Sequence, residues 1–366
     1  MKKNRARDLG LTLPGVPGRH NAITDVGGVL VGFETLSSCR DPALATGGLP
    51  VQTGVTAILP RGNEPTPRPV FAGIHALNGN GEMTGSHWIR DGGYFVGPVL
   101  ITNTHSVGAA HEGAVRWILD TYRETWERHH LWAMPVVAET YDGVLNDING
   151  LHVRPDHALR ALANAAGGPV REGNVGGGAG MICYEYKGGT GTASRVIEID
   201  GGAYTIGVLV QANHGLRPWL KVLGKSVGET MRDDRLPGFE TERGSIIAVI
   251  ATDLPLLPSQ LDRLARRGSI GIGRGGTPGG NNSGDIFLAF STANEMDLPQ
   301  VSAPFKTLVS LNDECLDPVY LATVEAVDEA ILNAMLAAED TPTARPPGHI
   351  CKALEPDKLL ACLEGL

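Results

Sequence analysis

The chain of 366 residues is 42% hydrophobic and 19% charged, a balance that buries a large core and excludes a disordered polypeptide. A formal net charge of −9 without a dense Lys/Arg block argues against a nucleic-acid partner. No run of about eighteen apolar residues predicts a membrane span, and the five scattered cysteines, with no C-x-x-C pair, fit reduced thiols in a cytoplasm.

In chain order, a turn at Ala22 and Ile23 leads into a short strand, Gly28 to Gly32. Thr56 to Pro60 and Val70 to Ile74 are further strands, joined by a proline-rich loop, and Val96 to Thr102 has the pattern of a buried one. Residues 107 to 128 read as one long helix capped by Ser106. Met134 to Gly143 reads as a strand running into a turn, with Glu139 and Tyr141 on one face at its end. Ala158 to Ala165 is a short helix. Arg195 to Asp200 and Tyr204 to Ala212 are strands around the turn Asp200-Gly201-Gly202, the second ending in Gln211-Ala212-Asn213-His214-Gly215.

Glu240 to Thr252 is the stretch with the most chemistry in it. A charged loop from Arg232 to Arg243 ends at Gly244, and Ser245 then opens a continuous apolar run, Ile246 to Ala251, that reads as a fully buried strand. Glycine lets the Gly244–Ser245 peptide reach conformations other residues forbid, so a neighbouring hydroxyl can approach its carbonyl. If that hydroxyl attacks, the chain breaks and Ser245 acquires a free α-amine, a nucleophile with its own base. A turn into a core strand is the plainer reading of the pair by itself.

Beyond it, Ser259 starts a helix expected to end near Arg267-Gly268, and Ser269 to Gly273 reads as a strand. A loop from Gly275 to Asn282 delivers the strand Ser283 to Phe290, with Ser283 and Asp285 on the same face, and residues 318 to 338 form a long helix. Strands outnumber helices, two long helices are available to cover them, and no composition shift marks a second domain. A single layered α/β (α+β) sandwich over residues 1–366 follows.

No H-E-x-x-H or matched Cys/His spacing predicts a metal, and no cofactor is expected. Gly176 to Gly180 lacks the Walker lysine and reads as a tight turn or close backbone approach, and a Ser-His-Asp triad lacks its G-x-S-x-G elbow. His214 fits a base or a structural histidine equally. What remains is a set of polar residues at strand ends: Glu139, Tyr141, Asn213, Ser245, Ser283 and Asp285.

Taken together, several segments resemble the L-aminopeptidase/D-esterase and β-peptidyl aminopeptidase family of self-processing serine peptidases. They are Arg5 to Gly10, Pro17 to Val26, Val210 to Gly215, Arg243 to Ile247 and Asn282 to Asp285. The resemblance implies an αββα sandwich similar to the ornithine acetyltransferase-like fold. It also implies cleavage before Ser245, giving an α chain 1–244 and a β chain 245–366. Ser283, the other serine preceded by Asn and Gly residues, would leave too short a β chain; it matches a second family serine, paired with an acid that here is Asp285 where some members have glutamate.

By the same resemblance, Ser245 is the nucleophile, Ser283 and Asp285 orient its amine, Asn213 and Tyr141 stabilise the oxyanion, and Glu139 receives the substrate's amino group. Substrates are small peptides, amides or esters with a free amino terminus, and members are tetramers. Two rivals stand beside this reading: an acyltransferase resembling ornithine acetyltransferases, which use an N-terminal threonine, and a glycine-rich binding protein that never cuts itself.

Overall fold

A computed structural model describes residues 5–45, 48–238 and 240–365. Phe239, inside the loop expected before Gly244, lies outside the described residues. The fold has four layers. A four-stranded sheet contains β1 (Leu30–Ser37), β2 (Gln52–Leu59), β5 (Val99–Asn103) and β6 (Val136–Thr140), in the order β1-β2-β5-β6. The second sheet has six strands: β3 (Val70–Ala76), β4 (Tyr94–Phe95), β9 (Gly189–Ile199), β10 (Gly202–Asn213), β11 (Ser245–Thr252) and β12 (Gly284–Ser291), ordered β4-β3-β12-β11-β10-β9. Two-residue pairs, β7 (Ile182–Cys183) with β8 (Tyr186–Lys187) and β13 (Thr341–Pro342) with β14 (Ile350–Cys351), complete the strands.

The sheets face each other. Ile247, Val249 and Ala251 of β11 and Leu209 of β10 meet Ile58, Val99, Ile101, Val136 and Ala138 of the smaller sheet in one core. The alternate residues of β11, Ile246, Ala248 and Ile250, point the other way into a core shared with α6 (Pro258–Arg274) and α7 (Asp317–Leu336). The uninterrupted apolar run of β11 is thus explained: both of its faces are covered, so neither tolerates polar alternation. On the far side, α2 (Val107–Thr121) and α4 (Pro155–Ala163) cover the smaller sheet through Ala110, Ala114, Ala158, Ala161 and Leu162. Of the short helices α1 (Ser86–Gly92), α3 (Arg123–Arg128), α5 (Val227–Thr230) and α8 (Pro356–Gly365), α1 adds Ile89 to the core between the sheets, and α5 and α8 add Val227, Leu359 and Leu363 to the core under α6 and α7. No helix among the described residues is long and apolar enough to cross a membrane.

Several expected elements change. The helix expected to end at Gly268 runs on to Arg274, and the strand expected at Ser269 to Gly273 is its last turns. The glycines that looked like a stop are packing surfaces. A Cβ on Gly268 would lie 2.1 Å from the Phe287 ring, and one on Gly271 would lie 2.6 Å from Val327, so α6 can lie flush against β12 and α7. At its start Pro258 occupies the first turn, and Gln260 Oε1 accepts from the Leu257 N–H. The single helix expected over 107 to 128 breaks at Tyr122 into α2 and α3, and Ser106 precedes α2 without a side-chain cap bond. Strand β9 begins at Gly189, six residues before the expected strand. Its small residues give no apolar signal because α7 crosses there: a Cβ on Gly191 would lie 2.0 Å from the Ala330 carbonyl oxygen.

Other readings hold. Asp200 and Gly201, both at positive φ, make the two-residue turn between β9 and β10. Gly176 to Gly180 is a buried 3₁₀ segment; a Cβ on Gly178 would lie 2.3 Å from the Thr190 nitrogen. Beside it, Gln211 Nε2 donates to the Thr102 carbonyl at 3.0 Å and to Thr140 Oγ1 at 2.8 Å, a polar tie between the two sheets.

Candidate active site

The site forms where the neighbours of β11 start and stop. In the antiparallel register with β10, Ser245 stands opposite Asn213; in the parallel register with β12, it stands beside Gly284. Ser245 is buried, and its hydroxyl donates to the Gly244 carbonyl oxygen at 2.7 Å while accepting from the Gly284 N–H at 3.2 Å. The nucleophile candidate therefore already touches the carbonyl in front of it. Gly244 is required by space and not by a left-handed backbone, since its φ is not positive: a Cβ there would lie 2.0 Å from the Asn213 carbonyl oxygen and 2.8 Å from His214 Cα.

On the β12 side, Ser283 Oγ donates to Asp285 Oδ1 at 2.6 Å, and both side chains are buried. Burial pushes the Asp285 carboxyl above the usual carboxylate range, against the bonds from Ser283, Asn78 and the Ile246 main chain. The last of these is informative. It brings the shorter acid to the residue immediately following Ser245, within one peptide unit of the nitrogen that scission would free. Asn78, which the sequence reading passed over, fixes this acid from the other side: its Oδ1 accepts from the Asp285 N–H at 2.8 Å and its Nδ2 donates to Asp285 Oδ2 at 3.3 Å.

On the β10 side, Asn213 Oδ1 accepts from the Ile182 N–H at 2.7 Å, and Nδ2 donates to the Tyr141 carbonyl at 3.0 Å. That fixes which end of the amide is the donor, and an amide NH₂ keeps a second hydrogen. Tyr141 lies one residue beyond β6, 42% exposed, and its ring lines a cleft of about 320 Å³ shared with Gly180, Asn213, Gly244 and Arg345. Glu139 is separated from that cleft. Its Oε1 accepts from the Glu82 N–H at 2.9 Å, the Thr104 hydroxyl donates to its Oε2, and burial raises its carboxyl. Gly81 connects the two halves: a Cβ on it would sit 3.3 Å from Gly284 Cα and 3.4 Å from Glu139 Oε1. The expectation that Glu139 and Tyr141 share a face fails, because the strand ends between them and Tyr141 turns outward.

His214 is structural. It is buried against the Tyr184 ring, its Nδ1 lies 3.8 Å from Cys183 Sγ, and burial drives it down to about 3, so it is neutral at any working pH. Several residues behind the resemblance are also structural. Arg5 donates to the carbonyls of His20, Asn21 and Thr192 and pairs with Glu172, and Arg7 pairs with Glu329 on α7. They tie the N-terminal segment to β9 and α7.

A hydroxyl against a carbonyl, an ordered serine–aspartate pair beside the same backbone, and an oriented amide opposite are the parts of an N-terminal-nucleophile hydrolase. Residues 21–346 match the model of Peptidase family S58. The chain belongs to that family. It is 52% identical over 348 residues to the β-peptidyl aminopeptidase BapA of Sphingosinicella microcystinivorans, covering 92% of this chain and 86% of that one. To BapA of Sphingosinicella xenopeptidilytica it is 42% identical, covering 92% and 85%. Its fold matches the L-aminopeptidase D-Ala-esterase/amidase of Ochrobactrum anthropi with a TM-score of 0.94 at 57% identity over 99% of both chains, a structure described as a prototype for the serine aminopeptidases and a variant of the Ntn hydrolase fold. A Burkholderia sp. β-aminopeptidase follows at 0.89 and 46%, covering 99% of this chain and 98% of that one. This S58 member is a hydrolase, a serine aminopeptidase with the Ntn fold, and the acyltransferase and binding-protein rivals fall away.

Proposed function

We propose that this aminopeptidase makes its own nucleophile by cutting between Gly244 and Ser245, into an α chain 1–244 and a β chain 245–366. Ser245 Oγ adds to the Gly244 carbonyl carbon, the carbon–nitrogen bond breaks, and the nitrogen takes the proton, leaving an ester on Oγ and a free amine. Water then hydrolyses the ester, giving the Gly244 carboxylate and Ser245 with both its groups free. In turnover the α-amine accepts the hydroxyl proton as Oγ attacks the substrate carbonyl, hands it to the leaving group, and activates the water that releases the acyl group.

Ser283 and Asp285 hold that amine and stabilise its charged form. The free hydrogen of Asn213 Nδ2 and the Tyr141 hydroxyl take the oxyanion; donors in such positions are typically worth about 10²–10³ in rate. Glu139 receives the substrate's ammonium, which restricts cleavage to the first residue. Peptides, amides and esters with a free amino terminus are the substrates, in keeping with relatives named for β-peptidyl, L-aminoacyl and D-Ala compounds. A cytoplasmic setting belongs to the same reading, supported by five unpaired cysteines, and a tetramer rests on the family resemblance.

The observation that carries the proposal is the 2.7 Å contact from Ser245 Oγ to the Gly244 carbonyl oxygen. Mass spectrometry of purified protein and of Ser245→Ala tests it. The wild type should yield two fragments meeting at Gly244/Ser245, and the variant one inactive chain of 38.6 kDa. A variant that still cuts, or an uncut wild type that digests peptides, removes Ser245 from this role.

A further inference from the structure

Resting on that reading, we infer that Glu242 is a positioning residue for the self-scission: its carboxylate holds the segment in front of the cut in register with the two loops that carry the rest of the site.

Gly244 has no side chain, so nothing on the residue itself fixes the peptide that must be attacked. The nearest anchor upstream is Glu242, buried although it sits in a charged loop segment. Its two oxygens reach in different directions. Oε1 accepts from the Gly215 N–H at 2.5 Å, and Oε2 accepts from the Gly280 N–H at 3.0 Å. Gly215 is two residues past Asn213. Gly280 is three residues before Ser283, and its carbonyl accepts from the Ser283 N–H at 2.9 Å and from Asn78 Nδ2 at 3.0 Å. One carboxylate therefore links the loop after β10, the loop before β12 and the segment before the scissile peptide, just outside the sheet register in which Ser245 stands between Asn213 and Gly284. Glu242 also lines the cleft with Tyr141, Asn213 and Gly244.

Both partners are main-chain donors, so only a side chain with two acceptor ends satisfies them. A carboxylate has these; a glutamine of the same shape turns an NH₂ toward one of the two N–H groups and loses that bond. Attack on a carbonyl is sensitive to displacement: about 1 Å of misplacement can cost 10²-fold. The anchor's contribution should therefore appear in the rate of scission rather than only in the stability of the fold.

The test follows the conversion of the full-length chain during cell-free synthesis, by denaturing gel, for wild type, Glu242→Gln and Gly280→Ala. The second variant leaves the charge in place. A Cβ on Gly280 would lie 2.1 Å from Glu242 Oε2, 3.0 Å from its Cδ and 3.2 Å from its Cβ, so the methyl group displaces the carboxylate and its three nearest neighbours all belong to Glu242. Melting temperatures are read on the uncut forms in the Ser245→Ala background. The expected result is conversion about ten- to a hundred-fold slower in both variants, with melting within a few degrees of the Ser245→Ala parent. Conversion at the wild-type rate in a folded Gly280→Ala or Glu242→Gln overturns the inference. If Glu242→Gln does not fold, the folded Gly280→Ala decides alone, slow conversion supporting and normal conversion refuting. A wild type that never converts refutes the scission itself and is read separately from the variants.

Discussion

Two buried acids show how a single residue couples the site to pH. In its proposed role Glu139 must be ionised to bind an ammonium, yet burial raises its carboxyl, with the Thr104 hydroxyl and the Glu82 N–H opposing the shift. Activity toward amine-bearing substrates should therefore fall on acidification at a pH above the ordinary carboxylate range, and recover as the pH rises. Glu139→Gln removes a charge-assisted hydrogen bond of about 1.5–3 kcal/mol, so kcat/KM for an aminoacyl p-nitroanilide should drop about ten- to a hundred-fold and lose that acid limb. Unchanged kinetics would place the amine elsewhere. Asp142, directly after Tyr141, affects stability instead. Burial pushes it up to about 7, although Thr53, Asn146 and Asn103 oppose the rise. A carboxyl raised in the folded state contributes its full stability below the unfolded value and loses it as the pH climbs through about 7. Asp142→Asn keeps the shape and cannot ionise, so its melting temperature relative to wild type should increase between pH 4 and pH 7. A pH-independent difference would show that Asp142 does not titrate in this range.

At the scale of elements, the same glycines that misled the sequence reading make a sharp prediction. Gly268→Ala gains about 1 kcal/mol of helix propensity but drives a methyl group to 2.1 Å from the Phe287 ring, in a core that cannot yield on that side. Overpacking of this kind costs about 1–3 kcal/mol, so the substitution should lower the denaturant midpoint. A raised midpoint would mean that α6 and β12 can separate freely. What the sequence reveals follows from this. Strands covered on both faces, such as β11, announce themselves as unbroken apolar runs, and β10 and β12 are legible for the same reason. The last turns of α6, beyond Gly268, and the first half of β9 are not, because their close contacts are made by residues with no side chain, and absent atoms leave no hydrophobic period. The site divides similarly. Ser245, Asn213, Ser283 and Asp285 stand at strand ends, where polar residues are conspicuous against apolar neighbours. Asn78 and Glu242 stand in polar loops, where another polar residue carries no signal; only the topology that brings β3, β10 and β12 around β11 shows what they hold.

For the whole molecule, the consequence of a cut at Gly244–Ser245 depends on where β11 lies. It is an interior strand, paired over its full length with β10 of the proposed α chain on one side and with β12 of the proposed β chain on the other. Each core on the two faces of this sheet mixes residues from both sides of the cut: Val208 and Val210 with Ile246 and Ala248 in one, Ile58 and Val99 with Ile247 and Val249 in the other. Separating the fragments would expose two cores and a row of unpaired strand hydrogen bonds, whereas the cut itself removes one covalent link at the end of a strand. The fragments should therefore stay together without it. Native size-exclusion chromatography should give one peak for the cut enzyme at the elution volume of uncut Ser245→Ala, with both fragments in it on a denaturing gel. Refolding from denaturant should distinguish them, since the uncut chain recovers in a concentration-independent step while the cut pair must first meet. Fragments that part under native conditions would mean that the central sheet is not continuous across the proposed chain boundary.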